Sequence, residues 1–81
     1  MITTELKNNV LNLLVNESPG MSGDFNIKEL AAHLGIEYPE LEAILDQFAA
    51  LNILTMQKAL GGRVYFTLTA KAHDIIQQGG F

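Results

Sequence analysis

The chain has 81 residues, 48% of them hydrophobic, with five Lys and Arg against nine Asp and Glu and a net charge of −4. That length supports one compact domain with a modest core and excludes two. There is no Cys, which excludes disulfides and thiolate metal sites, and no apolar run approaches the ~20 residues needed to cross a bilayer.

In chain order, the opening "MITTELKNN" lacks the basic-then-apolar order of a secretory signal, so a cytoplasmic location is expected. Thr3 and Thr4 are candidate caps of a first helix, in which Leu6, Val10, Leu13 and Leu14 recur at helical spacing and Leu11 and Val15 widen the stripe. Pro19, Gly20 and Gly23 in "NESPGMSGD" break that period and predict a loop. A second helix starts at Asn26 as cap. Glu29 stands at the capping-box position, and Phe25 with Leu30 occupy the positions of a hydrophobic staple. Ile27, Leu30, Ala31 and Leu34 form one face, and Gly35 follows where a left-handed residue is wanted.

Pro39 suits the first position of a third helix, whose buried face is predicted to carry Leu41, Ile44, Leu45, Phe48 and Leu51. Glu40, Glu42, Ala43, Asp46 and Gln47 then face outward, and Asn52 can end the helix in the left-handed region. The period next changes to two: "ILTMQK" and "RVYFTL" read as strands joined by "ALGG". Val64, Phe66 and Leu68 point inward, and Arg63, Tyr65 and Thr67 outward. A last helix begins near Thr69, packs through Ala72, Ile75 and Ile76, and stops at Gly79 and Gly80. Phe81 either folds back on its own helix or packs into a second subunit.

The segment "IKELAAHLGIEYPELEAILDQFAALNIL" resembles the helix-turn-helix core of bacterial winged-helix transcription regulators, and "YFTLTAKA" resembles their strand-to-helix "Y-x-L-T-x-K" passage. The resemblance covers almost the whole chain. It implies a mainly α fold with a small β-hairpin (α+β), a winged helix-turn-helix in the order α-α-α-β-β-α. Residues 1–81 would form a single domain, with the helix-turn-helix at about 26–51, the wing hairpin at about 53–68 and the C-terminal helix at about 69–78. It also implies DNA contacts at Tyr38, Glu40, Glu42, Ala43, Asp46 and Gln47, with phosphate contacts near Lys28 and on the wing at Lys58 and Arg63.

The charge pattern departs from that family. Residues 37 to 51 hold Glu37, Glu40, Glu42 and Asp46 and no base, leaving five acids and five bases elsewhere. A carboxylate and a phosphate ~8 Å apart in water repel by roughly 0.5 kcal/mol before screening, so DNA binding is weakened without being forbidden. A Glu can also accept a hydrogen bond from cytosine N4. Scarce attraction is the larger handicap: only Lys28, Lys58, Arg63 and the more remote Lys7 and Lys71 are available to meet phosphates. The acids have a purely structural use as well, because negative charge in the first turn of a helix favours its dipole by ~0.3–1 kcal/mol per group.

Other chemistry has little support. His33 and His73 each lack an i, i+4 partner, Ser18 and Ser22 have no nucleophile-elbow setting, and neither Gly-Gly pair leads a strand into a helix. No catalytic, cofactor or metal site is expected. Two functions remain. One is a non-enzymatic, homodimeric DNA-binding regulator using Lys28, Tyr38, Glu42, Ala43, Gln47, Lys58 and Arg63. The other is a protein-interaction module that docks a basic partner through Glu37, Glu40, Glu42 and Asp46, with Tyr65 as an aromatic anchor.

Overall fold

The structure, a computed structural model, describes residues 3 to 18 and 20 to 81. Pro19, expected to help break the first helix, lies outside the described residues. The elements in order are α1 (Thr4–Asn16), β1 (Ser22–Asn26), α2 (Ile27–Leu34), α3 (Tyr38–Ala50), β2 (Leu54–Lys58), β3 (Arg63–Leu68) and α4 (Ala70–Gln77). Leu60–Gly62 forms a single 3₁₀ turn between β2 and β3. This is the expected α+β winged-helix architecture with one strand added.

The added strand corrects the loop expected over "NESPGMSGD". Ser22–Asn26 pairs antiparallel with β3 along its whole length, from Ser22 opposite Thr67 to Asn26 opposite Arg63, so the sheet has three strands in the order β1-β3-β2. Met21, at a φ of 65°, turns the chain into it, and the Leu68 N–H donates to the Met21 carbonyl at 2.6 Å.

Helix ends follow local chemistry closely. Thr3 caps α1 by accepting from the Leu6 N–H, and the Asn26 side chain accepts from the N–H groups of Lys28 and Glu29 at the start of α2. At the end of α2 the Ile36 N–H bonds the Ala31 carbonyl and the Gly35 N–H the Ala32 carbonyl, with Gly35 at a φ of 71°. This paired turn satisfies carbonyls the helix leaves open. It recurs after α3, where Ile53 bonds Phe48 and Asn52 bonds Ala49. It recurs again after α4, where Gly80 bonds Ile75 and Gly79 bonds Ile76.

The core joins α1 through Val10, Leu11 and Leu14, α2 through Ile27 and Ala31, and α3 through Leu41, Ile44, Leu45 and Phe48. Leu54, Val64, Phe66 and Leu68 from the sheet and Ala72 from α4 complete it. Leu51 does not join them: it is 49% exposed, which corrects its place on the buried face. Helix α3 ends at Ala50, and the left-handed Asn52 turns the chain so that Ile53, fully buried, enters the core instead. Phe81 folds back on its own chain, though not on its own helix as one expectation had it: its ring stacks on Phe48 of α3 at 5.5 Å and its N–H donates to Asn8 Oδ1 of α1 at 2.7 Å.

Candidate functional site

Burial of Leu41, Ile44, Leu45 and Phe48 fixes the rotation of α3, and the opposite face carries Tyr38, Glu42, Ala43, Asp46 and Gln47. Tyr38, Asp46 and Gln47 are exposed, whereas Glu42 and Ala43 are half-buried. Glu37 is the residue before the first turn and makes no side-chain cap hydrogen bond. The Lys28 ammonium, at the start of α2, lies 5.9 Å from the centre of the Tyr38 ring. Lys28 and Tyr38 therefore form one end of this surface, and the arrangement suits a cation–π contact.

The wing brings a base to the middle of the acidic face. Lys58 is directly opposite Val64 across the ladder, and residues so paired project to the same side of a sheet. Val64 is buried, so Lys58 leaves β2 on the core side and reaches over α3. Its Nζ lies 3.7 Å from Glu42 Oε2 and 3.7 Å from Asp46 Oδ1, with all three side chains about half exposed. Glu42 and Asp46 are one helical turn apart, the spacing at which two side chains can share a cation.

Arg63 goes the other way. It is opposite Asn26 and shares the outer face of the sheet with Tyr65, which stands opposite Asp24 and Gln57. Its guanidinium Nη1 donates to Asp24 Oδ2 at 2.9 Å. The two wing bases therefore do not form a single cluster. Tyr65, 52% exposed, is likewise on the outer face and not among the α3 acids.

The tip between these strands is held firmly. Gly61 and Gly62 take φ values of 74° and 81°, the Ala59 N–H donates to the Arg63 carbonyl, and Asn26 Nδ2 donates to the Gly61 carbonyl at 3.1 Å. Leu60 at the apex is 97% exposed. The sequence marks "ALGG" as a turn, and Gly61 and Gly62 supply the positive φ values it needs.

A groove of about 390 Å³ opens beside Arg63, floored by Leu14, Phe25 and Phe66 and rimmed by Glu17, Glu29 and His33. Among the described residues no group of three or more His, Asp or Glu side chains is placed to hold a metal ion. No helix among them is long and apolar enough to cross a membrane.

No family model and no curated protein matches the chain. Among solved structures, the crystal structure of NadR in complex with 4-hydroxyphenylacetate is similar, with a TM-score of 0.65 at 20% identity over 96% of this chain and 52% of the NadR chain. NadR is a MarR-family winged-helix transcription regulator, and at this identity the likeness shows the winged-helix fold alone. The chain spans about half the length of the NadR chain it matches.

Proposed function

We propose that the protein is a non-enzymatic winged-helix regulator that contacts DNA through the exposed face of α3 and the adjoining wing, with low affinity as a monomer and higher affinity as a homodimer. The observation that carries this reading is the outward face Tyr38, Glu42, Ala43, Asp46 and Gln47, flanked by Lys28 at one end and by Lys58 of the wing. A helix presented in this way fits the major groove, and its polar side chains can meet base edges. Dimerisation doubles a small count of phosphate contacts; light scattering that rises from 8.9 kDa toward twice that value with concentration would support it.

The test is an NMR titration of labelled protein with mixed-sequence duplex DNA at low salt. Shifts confined to residues 28, 38–47 and 58–63 that fade as salt rises are expected; their absence would remove the DNA reading. A second reading is favoured by the ion pairs. On α3 the single ammonium of Lys58 faces two carboxylates, Glu42 and Asp46, so this face keeps a net negative charge that suits a basic protein partner docking through Glu37, Glu40, Glu42 and Asp46. Shifts on α3 with a Lys-rich peptide, abolished by reversing Glu42 and Asp46 to Lys, together with silence toward DNA, would establish that alternative.

A further inference from the structure

We propose that the contact of Lys58 with Glu42 and Asp46 is an autoinhibitory lock, in which two carboxylates of α3 occupy the wing ammonium that would otherwise meet a DNA phosphate. The inference rests on the DNA reading above and states what sets the affinity of that surface. The geometry is specific: Lys58 projects from the core side of β2 and its Nζ is equidistant, at 3.7 Å, from Glu42 Oε2 and Asp46 Oδ1. Two carboxylates around one ammonium leave the group with a local charge of about −1, so an approaching phosphate meets net repulsion where the wing would ordinarily attract.

The lock is built to open. At 3.7 Å the contacts are longer than hydrogen bonds, and the side chains are 44% to 56% exposed, so water and salt screen them. A phosphate that takes Lys58 must release it from both carboxylates, which then gather cations from solution. That uptake offsets the counterions displaced from the DNA, so a locked lysine adds little to the salt dependence of binding, whereas a free one adds about 0.9 of a unit to the log–log slope. Arg63, hydrogen-bonded to Asp24 on the other face of the sheet, lies outside the lock.

The experiment is fluorescence-polarisation binding to a mixed-sequence duplex over a range of salt, using wild type, Lys58→Ala, Glu42→Gln/Asp46→Asn, and the triple variant. The double variant is expected to bind about three- to tenfold tighter than wild type and to steepen the salt slope by about one unit. Lys58→Ala is expected to weaken wild-type binding less than it weakens the double variant, where it should remove most of the gain. Equal losses from Lys58→Ala in both backgrounds would overturn the lock while leaving DNA binding intact, because the carboxylates would then act by repulsion alone. Binding by none of the four proteins would remove the DNA reading itself and this inference with it. The substituted side chains are all substantially exposed, and melting curves that agree within a few degrees would confirm that each variant folds.

Discussion

Gly80 decides where the chain's last ring goes. At a φ of 101°, with Asn8 Oδ1 2.6 Å from where a Cβ would stand, it takes a side chain only with backbone strain and displacement of Asn8, and its turn delivers Phe81 onto Phe48. Sequence left two destinations for Phe81 open, since a terminal aromatic carries no pattern of its own. Gly80→Ala is expected to cost about 1–2 kcal/mol through the left-handed backbone and the collision with Asn8. Urea denaturation measures that cost, and loss of ring-current shifts around Phe48 reports the lost stack. Gly35, at a φ of 71° but with nothing within 4 Å of an added Cβ, separates the two effects. Gly35→Ala should cost about 1 kcal/mol from backbone strain alone, while Gly20→Ala, with neither constraint, should be near neutral. Equal losses at Gly80 and Gly35 would refute a contribution from the collision, and equal losses at Gly35 and Gly20 would refute one from backbone strain.

At the level of elements, the helices were legible because each repeats one physical signal. Apolar residues recur three and four apart, and Asn26, Gly35 and Asn52 stand where caps require them. Strand β1 was not legible. "SGDFN" contains Gly and Asp, both poor strand formers, and it is extended because β3 supplies its partners. The opposite departure of Lys58 and Arg63 follows from strand register, which the alternation around Val64 gave for β3 but which nothing fixed for β2. Asn26 joins these elements: its side chain caps α2 through Oδ1 and holds the wing turn through Nδ2 at the Gly61 carbonyl. Asn26→Ala is therefore expected to destabilise the fold by about 1–2 kcal/mol, toward the upper end for a cap because a second bond is lost with it. Asn26→Asp keeps the cap and loses only the donor to Gly61, so hydrogen exchange at residues 59–63 should rise while global stability falls by less. Equal loss in both variants would show that the wing tie is the dominant contact.

Over the whole molecule, stability and binding draw on different interactions. The radius of gyration is 11.6 Å, close to the roughly 12 Å expected of a compact 81-residue chain, and the apolar core runs through four helices and the sheet. The ion pairs of Lys58 and Arg63 are about half exposed, where such contacts contribute roughly 0–1 kcal/mol each. Raising NaCl from 50 to 200 mM should therefore shift the melting temperature by no more than a few degrees, and screening of the net charge of −4 partly offsets whatever the pairs lose. DNA affinity responds to the same salt through the bases that reach phosphate. Arg63 is held by Asp24 on the other face of the sheet, so Lys28 and Lys58 are the bases set to meet phosphates from the α3 side: if both did so, affinity would fall roughly twelvefold over this interval, and with Lys58 locked roughly three- to fourfold. Parallel thermal melts and binding isotherms on one set of samples measure both. A loss near twelvefold would mean that the wing lysine is already free in the protein that meets DNA. A loss of roughly three- to fourfold with an unchanged melting temperature would agree with a Lys58 held by the carboxylates of α3 and with a fold whose stability rests on its core.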